Sequence, residues 1–166
     1  IMGGVIKNEI FAANEIIGAD LFAPGREKVK TQFGINVTAD NKEVVEKSEV
    51  IILSVKPQFY ESVITEVKDL VKENQIVITI APGKTLAWLR EKFGKDVKIV
   101  RTMPNTPAMV GAGMTAMCPN EHMTKEEIAY VRMLLGSFGR VEIVTERLMD
   151  TVVSVSGSSP AYVFMM

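Results

Sequence analysis

Apolar runs of strand length alternate along this chain with stretches in which apolar residues recur at helical spacing, the pattern of βαβ units feeding a parallel sheet. The strand candidates are Glu15 to Ala19, Val50 to Val55, Ile76 to Ile80, Val97 to Thr102, Met114 to Cys118 and Val141 to Val144. These runs are apolar throughout rather than alternating, as expected where helices cover both faces of a sheet. The first four predict a doubly wound core.

Between them the helix signals are local and chemical. Pro24-Gly25 opens a short helix through Gln32 that Gly34 closes, and Asp40 caps another through Ser48. Pro57 stands in a first helical turn, where its missing N–H costs nothing, and that helix is expected to run to about Val71. Thr85 caps Leu86 to Phe93, with Gly94 behind it. Thr124 with Glu127 three residues on forms a capping box for a helix to about Leu135, closed by Gly136. Residues 146 to 166 read as largely helical, with a break at Ser156-Gly157-Ser158-Ser159-Pro160. Residues 1 to 8 read as the back half of a helix, and Ala161 to Met166 as an apolar helix start. The expectation is therefore a chain lacking material at both ends.

Composition narrows the role. The chain has 166 residues, 47% hydrophobic and 23% charged, enough for one well-filled core. Its 19 basic and 20 acidic residues are interspersed, so neither a nucleic acid nor an anionic membrane is an expected partner. No apolar run approaches the ~20 residues of a spanning helix, and no signal peptide is visible. One cysteine, Cys118, and one histidine, His122, provide neither a disulfide nor a metal set. A cytoplasmic protein is expected, with Cys118 as a small core residue and His122 on the surface. The methionines at 103, 109, 114 and 117 read as adaptable packing.

Candidate chemistry sits where strands end, since ligands of open α/β sheets bind outside the carboxyl ends of the strands. No Gly-x-Gly-x-x-Gly phosphate turn follows a strand: Gly3-Gly4 falls in a helix, Gly111-Ala112-Gly113 follows a loop, and Gly136 to Gly139 ends a helix. The other exits remain. Asp20 follows the first strand, where an acid favours a free ribose hydroxyl, whereas Arg26 and Lys28 nearby could receive a ribose phosphate. Ser54-Val55-Lys56-Pro57 joins an apolar strand to a proline-started helix, and Ile80-Ala81-Pro82-Gly83-Lys84-Thr85 makes a second exit of that kind without the spacing of a P-loop. Arg101-Thr102-Met103-Pro104-Asn105-Thr106-Pro107 is the third. Its prolines restrict the backbone so that Asn105 and Thr106 present hydrogen-bonding groups with little reorganisation. Ser156-Gly157-Ser158-Ser159-Pro160-Ala161-Tyr162 could hold a small carboxylate before a helix. No base is spaced to activate these serines.

Taken in order, Val50 to Pro57, Ile80 to Gly83, Arg101 to Pro107 and Ser156 to Tyr162 closely resemble the corresponding motifs of pyrroline-5-carboxylate reductases. That resemblance implies a Rossmann-like, mostly parallel α/β sheet over residues 1–145, followed from 146 by the start of an all-α dimerisation domain. It implies reduction of 1-pyrroline-5-carboxylate to L-proline by hydride from NADPH, with NADH possible, as the last step of proline synthesis. Implied cofactor-lining residues are Asp20, Arg26, Asn41, Ser54, Val55, Lys56, Pro57, Ile80, Ala81 and Pro82. The substrate side would comprise Met103, Asn105, Thr106, Glu146 and Ser158. No catalytic or metal-ligating side chain is expected within these residues. Hydride attack on a cyclic imine needs positioning and a carboxylate clamp more than a strong base. The family's glycine loop, first strand and carboxyl-terminal helices are missing from the chain, and Ser159 stands where the family usually has glycine. A homodimer or larger homo-oligomer is expected through those helices, aided by Val163 to Met166, and the 166 residues alone are expected to turn over little. Two other readings stay open: a related reductase of the β-hydroxyacid or 6-phosphogluconate dehydrogenase group, and a non-catalytic dinucleotide-sensing module.

Overall fold

The computed structural model describes residues 1–157. The expected helix break from Ser158 onward, Ser159 and the apolar segment Val163 to Met166 lie outside the described residues. Among the described residues seven strands form two sheets. β1 (Ile17–Ala19) and β2 (Asn36–Thr38) pair in parallel, while β3 (Val50–Leu53), β4 (Ile76–Thr79), β5 (Lys98–Met103), β6 (Gly113–Pro119) and β7 (Gly139–Ile143) lie side by side in that order. β3, β4 and β5 are parallel. β6 runs antiparallel to β5, with Met103 opposite Ala116, and β7 is parallel to β6.

The helices are α1 (Met2–Lys7), α2 (Ala23–Phe33), α3 (Asn41–Lys47), α4 (Tyr60–Val67), α5 (Leu86–Phe93), α6 (Lys125–Gly136) and α7 (Met149–Val152). They cover both faces of the large sheet, and β4 shows why its sequence does not alternate. Val77 packs with Tyr60, Ile64, Val67, Leu89, Phe93 and Ile99 on one face. Ile76 and Ile78 pack with Val100, Met117, Val131, Leu134, Leu135 and Phe138 on the other. All four residues of β4 are buried.

Several local predictions are met atom by atom. Thr85 Oγ1 accepts the Trp88 N–H and Gly94 ends α5 in the left-handed conformation. Thr124 and Glu127 make both bonds of the capping box, and Asp40 accepts the Lys42 N–H. Other elements differ. The first strand begins at Ile17 and belongs to the separate pair with β2, a strand without an apolar run. Its place is set by bonds from the Asn36 N–H to the Ile16 carbonyl and from the Asp20 N–H to the Thr38 carbonyl. The helix expected from Pro57 to Val71 is a 3₁₀ turn at Pro57–Phe59 followed by α4, which stops at Val67. Gly136 lies inside α6, and Ser137 follows it as the cap. Of the methionines read as packing, Met117 is fully buried, but Met109 is 86% exposed. Cys118 is buried as expected, whereas His122 is half-buried, 3.4 Å from Asp96.

The tightest glycine position is at the start of β7. Gly139 opens β7 at φ 150°, and a Cβ there would lie 2.1 Å from the Gly113 carbonyl oxygen. The β6–β7 approach therefore requires a residue without a side chain at that position.

After β7 the chain turns through a 3₁₀ segment at Glu146–Leu148 into α7 and a π-type turn at Val153–Gly157. Met149 is buried against Ala116 and Cys118 of β6, beside Leu86, Met103, Val144 and Val152. The terminal segment thus crosses the sheet face next to α5 and ends near the β5 exit.

A candidate dinucleotide and substrate site at the strand exits

In the parallel register Leu53, Thr79 and Arg101 stand abreast. The loops after β3 and β4 therefore leave the sheet from adjacent strands at one level, and β5 runs two residues further, to Met103, before the third loop leaves beside them. Ser54, Lys56 and Pro57 are exposed after β3, with Val55 half-buried between them. Ala81 is buried after β4, while Pro82 and Gly83 are open to solvent. Gly83 sits at φ 73° with free space above it.

Two buried polar groups fasten these exits together. Thr102 donates its hydroxyl proton to the Thr79 carbonyl at 2.8 Å. Tyr60, on α4, donates to the Leu53 carbonyl and accepts the Ile80 N–H at 3.3 Å. Burial pushes the Tyr60 phenol up to about 12, against the pull of the Ile80 and Ala81 backbone groups, so it stays protonated at neutral pH.

On the β5 side the Asn105 amide is used at both ends. Its Nδ2 donates to Ser156 Oγ at 3.1 Å and its Oδ1 accepts the Met114 N–H at 2.9 Å. Thr106 begins a 3₁₀ turn and is exposed, and Met103 is half-buried close to Gly157. Asn105, Met103 and the end of the π-type turn thus meet at one edge. Ser158 lies outside the described residues.

Glu146 is placed differently from Asn105. Its Oε1 accepts the Leu86 N–H at 2.7 Å and an Arg101 N–H at 3.2 Å, so it faces the start of α5 and the middle of β5. Arg101 also donates to Asp150 at 3.2 Å, and its side chain is only 3% exposed. A charged group inside an apolar strand demands partners, and Arg101 was the one sequence signal of this clamp. Tyr60 carried no sequence signal, because its role depends on two backbone groups from different strands.

At the β1 exit Asp20 and Arg26 come together. Arg26 donates to the Asp20 and Leu21 carbonyls, at 2.6 and 3.1 Å, while the Asp20 carboxylate accepts the Phe22 N–H at 2.9 Å. A Cβ on Gly25 would lie 2.9 Å from Asp20 Oδ2, so the glycine keeps the carboxylate clear. Lys28 is exposed on the same helix. Asn41, at the start of α3, donates its amide to Glu66 on α4 at 2.9 Å. The chemistry of these groups fits the adenosine ribose at Asp20 and Arg26 and the nicotinamide end at the exits of β3 to β5.

A cleft elsewhere, lined by Leu86, Arg90, Asp96, Asn120 and Glu121 beside Glu146, is rimmed by charges that pair with one another, Arg90 with both Asp96 and Glu121. It lies along α5 rather than at the strand exits, and the exits are the better candidate. Among the described residues no group of three His, Cys, Asp or Glu side chains could hold a metal ion. No helix among them is long and apolar enough to cross a membrane.

Residues 1–83 match the family model described as NADP oxidoreductase, coenzyme F420-dependent. Pyrroline-5-carboxylate reductase of Escherichia coli is 39% identical over 99% of this chain and 63% of its own length. Among solved structures, a pyrroline-5-carboxylate reductase from Coxiella burnetii superposes with a TM-score of 0.93 at 32% identity, over 99% of this chain and 61% of that one. The pyrroline carboxylate reductase of Plasmodium falciparum, determined with NADP bound, gives a TM-score of 0.87 at 28% identity, over 98% of this chain and 59% of that one. The chain spans about three-fifths of the length of the curated relatives it matches.

Proposed function

We propose, for a chain that belongs to the coenzyme F420-dependent NADP oxidoreductase family and groups with the pyrroline-5-carboxylate reductases, that its protein reduces 1-pyrroline-5-carboxylate to L-proline with NADPH. The observation that carries this reading is the likeness to those reductases along nearly the whole chain, in sequence and in backbone. The local geometry supports it. The β3 and β4 exits offer exposed backbone and the Lys56 charge to a dinucleotide, and Arg26 offers a cation beside Asp20 for a ribose phosphate. When bound, the reduced nicotinamide supplies a hydride. The protein's own share is to orient the reactants: Met103, Asn105 and Thr106 form the wall facing the imine, with Asn105 held by Ser156 and the Met114 backbone.

The same reading assigns residues 1–145 to dinucleotide binding and 146–166 to the start of a helical substrate and dimerisation domain. Exposed Leu148 and Val155 on the terminal segment support association through that part. A cytoplasmic location accords with the single, buried and unpaired cysteine.

The test is NAD(P)H oxidation by the full-length protein with pyrroline-5-carboxylate, both cofactors at equal concentration. Rapid oxidation with formation of proline, faster with NADPH, is expected. A folded protein that oxidises neither cofactor would overturn the assignment.

A further inference from the structure

We propose that Tyr60 is a positioning residue for the dinucleotide, its hydroxyl setting the separation of the β3 and β4 exits. This rests on the reading of those exits as the cofactor edge. The argument starts from register. Leu53 is level with Thr79, so in a continued parallel ladder the Leu53 carbonyl and the Ile80 N–H would be the next groups to meet. The Tyr60 hydroxyl stands between these two groups, donating to Leu53 at 2.5 Å and accepting from Ile80 at 3.3 Å. The strands end at this level, and Ser54 and Ala81 go their separate ways from it.

The ring makes the hydroxyl a fixed spacer rather than a mobile one. Tyr60 is fully buried in the core formed with Ile64 and Val67 of its own helix, Leu53 and Val77 of the sheet, and Leu89 of α5. A buried phenol must find partners for its hydroxyl, and here both partners belong to the first turns of the cofactor exits. A phenol that does not ionise near neutral pH keeps its proton for Leu53. One side chain therefore determines how two loops from different strands stand relative to each other.

Tyr60→Phe removes the hydroxyl and keeps the ring. Ile64→Val, a buried change on the same helix whose side chain has no polar atom to bond either exit, serves as a control for ordinary core loosening. Two readouts are taken on the full-length protein. The first is amide exchange in the free protein, where Ile80 is expected to exchange at least tenfold faster in Tyr60→Phe and to keep its protection relative to neighbouring core amides in Ile64→Val. The second is NADPH affinity by fluorescence titration, where Tyr60→Phe is expected to raise Kd roughly tenfold and Ile64→Val to leave it unchanged. Unaltered Ile80 protection in Tyr60→Phe, or equal NADPH affinities for the two variants, would overturn the proposal. The exchange readout needs no dinucleotide, so failure of the spacer is distinguishable from failure of the cofactor reading, which would show as absent NADPH binding in the unsubstituted protein.

Discussion

Replacing Glu146 by alanine should be among the costliest single changes outside the apolar core, and the structure sets the size of the effect. Arg101 keeps 3% of its side chain in contact with solvent and has two carboxylate partners, Glu146 at 34% exposure and Asp150 at 85%. Removing one member of a buried pair costs about 3–5 kcal/mol, because the remaining charge is stranded. Water reaches Glu146 in part and Asp150 remains, so the lower end applies, about 3 kcal/mol. That figure includes the loss of the Leu86 N–H acceptor at the start of α5, a capping interaction of about 1 kcal/mol. Glu146→Gln keeps an oxygen for Leu86 and should cost about half as much, while Asp150→Asn removes only a solvated partner and should cost under about 1 kcal/mol. Urea unfolding followed by Trp88 fluorescence would give the three values, with unchanged m confirming that only stability moved. If Glu146→Ala proved no more destabilising than Asp150→Asn, the buried clamp would not be holding the terminal segment.

The pH dependence should carry the signature of Glu127, whose carboxyl is held below its ordinary 4.5 first by the hydrogen bond from Lys98. As pH falls below that value the unfolded chain takes up the proton before the folded one, so this stabilisation is complete above 4.5 and disappears as pH drops through the folded pKa. Lys98→Met should therefore destabilise at neutral pH, with the difference closing in acid; a difference independent of pH would contradict this. Gly139→Ala should cost more than about 3 kcal/mol or prevent folding, since the new Cβ meets the Gly113 carbonyl, whereas Gly136→Ala, in open space within α6, should raise Tm by up to a few degrees. Thermal melts of the pair would check both signs. Arg26→Ala should weaken NADPH about tenfold and leave NADH within about twofold, from loss of one charge-assisted contact to a ribose phosphate. Parallel titrations showing equal losses for both cofactors would remove Arg26 from that role.

Much of the fold can be read along the chain because its decisive signals are local. Thr85, Thr124, Glu127 and Gly94 act within one helical turn of where they stand, and the continuous apolar runs of β3 and β4 require two covered faces whatever the tertiary detail. β2 is invisible to the same reasoning. Its three residues have no apolar run, and its identity as a strand lies in bonds to Ile16 and from Asp20 that only the folded chain supplies. The reversed direction of β6 follows from the connection at residues 104 to 112, which holds a 3₁₀ turn but no crossover helix to carry the chain back to the starting edge. The early end of α4 is likewise a tertiary outcome, because Lys68 to Val71 could have continued the helical period.

The candidate site divides along the same line. Exits announced by proline and small polar residues are legible, since the stiffness of Met103 to Pro107 and the turn at Ser54 to Pro57 are properties of those residues. What couples the exits is not legible. Tyr60 lies within a helix whose apolar period explains it fully as a core residue, and only the strand register reveals that its hydroxyl meets two strand ends. Arg101 is the intermediate case. A cation inside an apolar strand announces that a carboxylate must be found, but not that it will be Glu146, 45 residues on, also facing the first turn of α5. In that position Glu146 serves the site at one remove: with Asp150 it anchors the segment that delivers Ser156 to Asn105. A carboxylate near a substrate edge need not touch the substrate to matter there, and its variants should disturb stability before they disturb chemistry.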